Sequence, residues 1–248
     1  MGKQRLDILV ARQGLAESRE QAQRLIMAGD ILVNGQPVTR SASRFDEGVA
    51  LSAKARPRFV SRGGEKLDGA FRRYPLLRAA GRSCLDVGAS TGGFTDCLLR
   101  HGAARVLAVD VGKGQLHWRL RTDSRVQVME GVNARYLDRA DLPFSVDLAT
   151  IDVSFISLRR ILPAVVRVLE PAADIVALVK PQFEAGRKQV GKGGVVRDEA
   201  VRQGVAEGVR SFAESELALR CKGLCDAPLA GPAGNLEFLM WLAKGEPA

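Results

Sequence analysis

An α/β fold with a mostly parallel sheet, preceded by a small α+β domain, is predicted by three features of this chain. From Ser83 onward, short apolar runs that read as strands alternate with helical patterns. The first part of the chain carries instead two short helical patterns and a hairpin signature. Between them, Ser52-Ala-Lys-Ala-Arg-Pro-Arg-Phe59 combines a proline with basic and small residues and has no apolar periodicity, as a linker does. A length of 248 residues agrees with two domains. The expected division is 1–58, with a linker over about 52–60, and 59–248.

In the N-terminal region, Leu6, Leu9 and Val10 recur at helical spacing and Gly14 follows as a stop. Ser18 with Gln21 three residues later is a capping box, so a second helix is expected over about Arg19–Ala28, ended by Gly29. Ile31-Leu-Val33, the Asn34-Gly35 pair and Pro37-Val38 then read as a hairpin with a type I′ turn. This order, with Arg-Leu-Asp7, Ser18-Arg-Glu-Gln-Ala22 and Gly-Asp-Ile-Leu-Val-Asn-Gly35 at its landmarks, resembles the S4 RNA-binding domain. The resemblance implies that Arg5, Arg19, Arg24, Arg40 and Arg44 face structured RNA, mostly through phosphate and shape contacts.

Charge supports a polyanionic partner. Thirty-seven Lys and Arg against 28 Asp and Glu leave +9, and residues 1–62 alone hold eleven basic against six acidic side chains. Hydrophobic content of 46% with 26% charged residues suits a globular chain with a sizeable core. The N-terminus has no apolar stretch after its basic residues, and no run approaches a membrane span, so neither a secretion signal nor stable membrane association is expected. Four cysteines, Cys84, Cys97, Cys221 and Cys225, are too few for a disulfide framework, and two histidines do not complete a metal site; a reducing cytoplasm is the expected location. Cys221 and Cys225 stand four apart, a helix-like spacing.

In the larger region, strands are expected at Ser83–Val87, Arg105–Val109, Val126–Met129, Val146–Ile151, Ile175–Val179 and Phe238–Trp241. The first runs into Asp86-Val-Gly-Ala-Ser-Thr-Gly-Gly-Phe94, whose small residues let a backbone approach a ligand at a topological switch point. The turn lacks the full Gly-x-Gly-x-x-Gly of dinucleotide folds and the Gly-Lys-Ser of a phosphate loop. Asp110 ends the second strand, where a carboxylate can accept both ribose hydroxyls of an adenosine, and Asn133 follows the third, within reach of its base. Acidic strand end, glycine turn and distant carboxylate together are similar to the Rossmann-type methyltransferases. That resemblance implies S-adenosyl-L-methionine (AdoMet) as cofactor, held by Asp86, Gly88, Ser90, Gly92 and Asp110; the family often has glycine where Ser90 stands.

The chemistry turns on the residues at the carboxyl ends of the fourth and fifth strands. Asp152-Val-Ser-Phe155 lacks the prolines of amino-group methyltransferases acting on adenine, and no cysteine lies between 98 and 220 to serve as a nucleophile on cytosine C5. A ribose 2′-hydroxyl is a poor nucleophile at neutral pH and asks for a base or orienting acceptor. Lys66, Asp152, Lys180 and Glu237 supply two lysines and two carboxylates, and they match in order the Lys-Asp-Lys-Glu tetrad of ribose methyltransferases that resemble the heat-shock RNA methyltransferase. By that resemblance Lys180 is the central group.

An S4 module joined to Phe59-Val-Ser-Arg-Gly-Gly-Glu-Lys66, Asp152-Val-Ser-Phe-Ile-Ser157, Lys180-Pro-Gln-Phe-Glu184 and Gly193-Gly-Val-Val-Arg197 resembles the TlyA family over nearly the whole chain. The resemblance implies a class I methyltransferase domain with a mostly parallel seven-stranded sheet. It also implies a ribosomal RNA or subunit as partner, methylated at a cytidine 2′-OH in 23S rRNA with 16S rRNA as a second candidate; the short C-terminus after Trp241 favours the large subunit. The family's interdomain tetrapeptide, Arg-x-Trp-Val-like, reads here Arg56-Pro-Arg-Phe-Val60, and Gly191-Lys-Gly-Gly194 is a candidate mobile loop near the site. Two other functions remain open on sequence: a non-catalytic ribosome-assembly factor, and a membrane-active haemolysin, the label this family also carries.

Overall fold

The computed structural model describes residues 2–54 and 57–245, and the chain divides into two compact units, Met1–Pro57 and Arg58–Ala248. Ala55 and Arg56 of the linker motif lie outside the described residues.

The first unit contains β1 (Lys3–Arg5), α1 (Leu6–Arg12), α2 (Arg19–Met27), β2 (Ile31–Val33), β3 (Gln36–Pro37), β4 (Arg44–Asp46) and β5 (Leu51–Ala53). Its core is Leu6 and Val10 of α1 with Ala22 and Ile26 of α2, at the helical period of each, closed by Ile31 and Val33 on one face of β2. Ser18 Oγ caps α2 by accepting from Gln21 N at 3.2 Å, but the Gln21 side chain reaches Glu17 N rather than Ser18 N, so the capping box is half formed. Asn34 and Gly35 both have positive φ, +50° and +79°, as a type I′ turn requires. The expected linker start is corrected: Ser52 and Ala53 belong to β5, which pairs with β2. That strand is three residues long with a single large apolar side chain, too short to show a period.

The second unit is one seven-stranded sheet. Its strands and helices run α3 (Arg62–Arg73), β6 (Ser83–Val87), α4 (Gly93–Arg100), β7 (Arg105–Asp110), α5 (Trp118–Arg121), β8 (Val126–Glu130), β9 (Val146–Ile151), α6 (Leu162–Val168), β10 (Leu169–Val179), α7 (Pro181–Glu184), α8 (Glu199–Leu217), β11 (Leu219–Asp226) and β12 (Phe238–Lys244). The order is β11-β12-β10-β9-β6-β7-β8, with β12 antiparallel to both neighbours and the rest parallel. Central strands are apolar on both faces because helices cover both: Leu85, Val87, Leu107 and Ile151 enter one core, Cys84, Val106, Leu148 and Val176 the other.

The seventh strand, β11, has no counterpart among the expected strands, and it corrects the helix-like reading of Cys221 and Cys225, which both lie on it. Its sequence, Leu-Arg-Cys-Lys-Gly-Leu-Cys-Asp, does not alternate cleanly, because a register shift falls between Cys221 and Gly223. Gly223 is bare for a reason: a Cβ there would stand 2.5 Å from the Tyr74 ring.

Connections from β6 lead to β7 and β8 on one side, then to β9 and β10 on the other. The sheet order therefore reverses between β6 and β9, and a crevice opens beyond their carboxyl ends.

Candidate active site

Every side chain of the site is delivered to this one edge. Loops after β6, β7, β8, β9 and β10 begin there, and β12 also starts there because it runs antiparallel. The turn after β6 is shaped by close approach. Gly88 has φ +83°, and a Cβ on it would stand 2.4 Å from the Asp152 carbonyl oxygen, so β6 and β9 fit side by side only with glycine here. Ser90 also adopts a left-handed backbone, φ +48°, which explains why glycine suits this position. Its N–H donates to Asp110 Oδ2 at 2.8 Å, while Gly112 N donates to Oδ1 at 2.7 Å, fixing the carboxylate at the mouth of the crevice.

A cavity of ≈ 520 Å³ runs from this carboxylate inward. Asp110, Gln115 and Asn133 line one end, Val109, Val132, Ile156 and Ile161 the walls, and Gly88, Asp152 and Ser154 the other end. A carboxylate pinned by backbone donors, apolar walls for a flat base and a bare glycine where a chain must pass close fit an adenosine followed by a polar tail. The Asn133 side chain accepts from Arg135 N at 3.2 Å, capping a short 3₁₀ turn, and still lines the cavity.

A second cavity of ≈ 490 Å³ meets the first, and Gly88, Ser90, Asp152 and Ser154 line both. Lys66, Asp152, Lys180 and Glu237 all line it. They form two ion pairs: Lys66 Nζ to Glu237 Oε2 at 2.5 Å, and Lys180 Nζ to Asp152 Oδ1 at 2.6 Å. The first pair is buried, with side chains 7% and 1% exposed; the second is more open. Lys66 gets there because α3 packs on α4 and β12, and Glu237 because Phe238 pairs with Val179, setting Glu237 and Lys180 at the same sheet edge. The tetrad's own charges sum to zero, and Arg62 in the same lining leaves the cavity one positive charge, so an incoming hydroxyl meets donors and acceptors at close range.

Several expected residues stand elsewhere. Asp86 lines neither cavity. It is fully buried, accepts from Thr95 Oγ1 at 2.6 Å and Thr150 Oγ1 at 3.0 Å, and its carboxyl is pushed up to about 7 by burial, which opposes the charged form. It braces β6 from below rather than reaching a ligand. Gly92 lines neither cavity either; with φ +98° it starts α4, and a Cβ would strike Leu120 at 2.2 Å. In the first unit, Arg5 and Arg19 both bond the buried Asp7, at 2.9 and 3.0 Å, and hold its carboxylate well below the usual range, whereas Arg24, Arg40 and Arg44 are exposed. The Gly191–Gly194 segment is tied down: Asn235, 2% exposed, donates to Gly194 O at 2.9 Å and accepts from Val196 N at 3.0 Å.

Three site groups escaped the sequence. Ser154 Oγ accepts from Lys180 Nζ at 3.0 Å, Gln182 Nε2 lies 3.4 Å from Glu237 Oε1, and Gln115 Oε1 lies 3.2 Å from Ser90 Oγ. Ser154 and Gln182 sit two residues past Asp152 and Lys180, and that offset was their only signal. Asp68, Cys97 and His101 also come together, but Arg58 at 2.7 Å and Arg72 at 3.2 Å already occupy the Asp68 carboxylate, and burial pushes the Cys97 thiol up, so the group is an ion-pair node rather than a metal centre. Among the described residues no helix is long and apolar enough to cross a membrane.

A seven-stranded sheet of this order with a ligand crevice at its switch point defines a Rossmann-like methyltransferase domain. Residues 59–244 match the FtsJ-like methyltransferase model and residues 4–51 the S4 domain. The 16S/23S rRNA (cytidine-2′-O)-methyltransferase TlyA of Mycobacterium tuberculosis is 48% identical over 240 residues, 96% of this chain and 89% of that one. The 23S rRNA (cytidine-2′-O)-methyltransferase TlyA of Campylobacter jejuni is 30% identical over 260 residues, 97% of this chain and 99% of that one. A solved structure from Streptococcus thermophilus that bears the name haemolysin is 46% identical, covers 99% of this chain and 90% of that one, and superposes with a TM-score of 0.75. The chain thus belongs to the FtsJ-like methyltransferase family and, within it, to the TlyA proteins, with an S4 domain ahead of the catalytic fold.

Proposed function

We propose that this protein transfers a methyl group to the 2′-hydroxyl of a cytidine ribose in ribosomal RNA, in the cytoplasm. The observation that carries the reading is the pair of joined cavities, one shaped for a nucleoside and one lined by Lys66, Asp152, Lys180 and Glu237. AdoMet bound in the first cavity supplies an electrophilic methyl group on sulfur. Asp110 and Asn133 hold the nucleoside end, and Gly88 lets the chain pass toward the junction.

At the junction Lys180, fixed by Asp152 and Ser154, receives the ribose hydroxyl and orients its oxygen in line with the methyl group. With AdoMet bound, the oxygen–carbon bond would form as the methyl carbon–sulfur bond breaks, S-adenosylhomocysteine would leave, and the hydroxyl proton would pass to the Lys180–Asp152 pair acting as one acceptor. Lys66 and Glu237, paired and buried, form the rigid wall behind them. The two TlyA relatives share 23S rRNA as the named substrate, and this supports the large-subunit RNA as the target.

The test incubates the purified protein with labelled AdoMet and with 23S and 16S rRNA or subunits from a strain lacking the enzyme. One 2′-O-methylcytidine in 23S rRNA, lost with Lys180→Ala, is expected; label in 16S rRNA as well would extend the target to both subunits. AdoMet binding without transfer would replace the reading with an RNA-binding assembly factor.

A further inference from the structure

We infer that Ser154 is a fifth polar member of the site, a positioning residue that holds the Lys180 ammonium at the junction where methyl group and ribose hydroxyl meet. The inference rests on the ribose-methylation reading and names a group that the Lys-Asp-Lys-Glu pattern does not contain.

Three observations converge on it. First, Ser154 lines both cavities, and of the four residues that do, only Asp152 and Ser154 touch Lys180. Second, the contact has the right direction. Lys180 Nζ donates to Ser154 Oγ at 3.0 Å, whereas its ion contact with Asp152 Oδ1 at 2.6 Å lacks hydrogen-bond geometry, so the hydroxyl is the directional partner and the carboxylate the electrostatic one. An ammonium on a four-carbon stem with one partner can swing about that partner; two partners remove the freedom. Third, the loop that carries Ser154 is held at its far end. Glu184, at the end of α7, accepts from Ser157 Oγ and from Leu158 N, both at 2.6 Å. Phe155, between Ser154 and this clamp, keeps a left-handed backbone of φ +64°, a conformation that costs roughly 1 kcal/mol or more and persists only when both sides are fixed. Ser154 is thus anchored by Asp152 on one side and by Glu184 on the other.

Ser154 Oγ therefore has a stated chemical duty. It accepts one hydrogen from Lys180 and so fixes the ammonium beside the Asp152 carboxylate, the member of the pair that can take the ribose hydroxyl proton. Positioning of this kind acts on the chemical step more than on cofactor affinity, because Ser154 lines the junction of the cavities while Asp110 and Asn133 line the part assigned to the nucleoside.

The experiment compares full-length wild type, Ser154→Ala and Ser154→Thr. For each it measures kcat and the KM for rRNA, AdoMet affinity by calorimetry, and the Lys180 Cε resonance in 13C-lysine-labelled protein, assigned with Lys180→Arg. Ser154→Ala is expected to lower kcat by about 10- to 100-fold, with a much smaller change in AdoMet affinity and Tm unchanged, and to move the Lys180 resonance. Ser154→Thr keeps a hydroxyl at an exposed position and is expected to restore most of the rate. Wild-type kcat in Ser154→Ala, a threonine variant as slow as the alanine one, or a loss confined to AdoMet affinity would each overturn the assignment. If wild type itself transfers nothing to rRNA, the functional reading falls alone. The resonance then decides the Lys180–Ser154 contact: movement in Ser154→Ala upholds it, and an unmoved signal removes it.

Discussion

At the scale of single residues, the two ion pairs of the site differ in what they contribute. Lys66 and Glu237 are buried together, so removing one leaves the other as an uncompensated buried charge. Glu237→Ala is therefore expected to lower stability by roughly 3 kcal/mol as well as to abolish transfer, and denaturant unfolding separates the two effects. Lys180 and Asp152 are more open to solvent, and Lys180→Ala is expected to remove activity while Tm stays within a few degrees. Asp86 makes a prediction about pH. Its folded carboxyl titrates near 7 against 3.8 in a model peptide, so between these values the folded state holds a proton that the unfolded state has lost. Its contribution to stability is full below about 4 and declines as pH rises to 7, by an amount on the order of 4 kcal/mol. Asp86→Asn, which cannot ionise, is expected to flatten this part of the stability–pH curve; parallel curves for wild type and variant would show that the buried carboxyl is not the cause.

At the scale of elements, the sequence was legible where an element buries two faces or carries a special backbone. Ser83–Val87 and Val146–Ile151 are mostly apolar on both faces, and Ile175–Val179 is a continuous apolar run, because helices cover both sides of the sheet. The first two appear as strands with the expected bounds, and the third extends back to Leu169. Strands with one weakly buried face left no such record: Leu219–Asp226 is broken by a register shift, and Leu51–Ala53 is too short to alternate. Asp152, Lys180 and Glu237 were readable because each sits at an end of a legible strand run, and Lys66 through its Arg62-Gly-Gly-Glu-Lys66 motif, whereas Ser154, Gln182 and Gln115 gained their contacts only from loop geometry. Asp86 misled for the same reason in reverse. An acidic strand end looks alike whether its carboxylate meets a ligand or, as here, two threonine hydroxyls in the interior. The glycine turn is where element geometry becomes a test of ligand binding. Gly88→Ala puts a Cβ 2.4 Å from a backbone oxygen at a φ that L residues avoid, so β6 and β9 must separate at the junction of the cavities. AdoMet affinity should fall by more than about tenfold, a little over 1.4 kcal/mol; calorimetry that finds wild-type affinity would place the cofactor elsewhere.

At the scale of the whole molecule, the division of labour follows from charge and from the two kinds of fold. The second unit holds Lys66, Asp152, Lys180 and Glu237 in two ion pairs, and Arg62 beside them leaves the cavity one net positive charge. The first unit is small, with a core of only a few side chains, and its basic residues serve two ends. Arg5 and Arg19 are committed to the buried Asp7, where with Gln23 they satisfy a carboxylate that would otherwise destabilise the core. Arg24, Arg40 and Arg44 are exposed and within reach of phosphates, with Arg44 also donating to the Lys3 carbonyl at 3.5 Å. Sequence reasoning grouped all five as one RNA-facing set, because an acid in the first turn of a helix carries no mark of its burial or its partners. The distinction yields a measurement. Replacing Arg24, Arg40 and Arg44 together with glutamine should weaken rRNA binding and reduce the slope of log K against log[salt] by about two to three, since each lost phosphate contact removes roughly 0.7 to 0.9. Tm and AdoMet affinity should not change, because none of the three belongs to a core or to the cofactor cavity. Replacing Arg5 or Arg19 should instead lower the stability of the first unit, with RNA affinity falling only as the unit unfolds. An unchanged salt slope in the triple variant would move the RNA contact off these arginines and onto the methyltransferase unit.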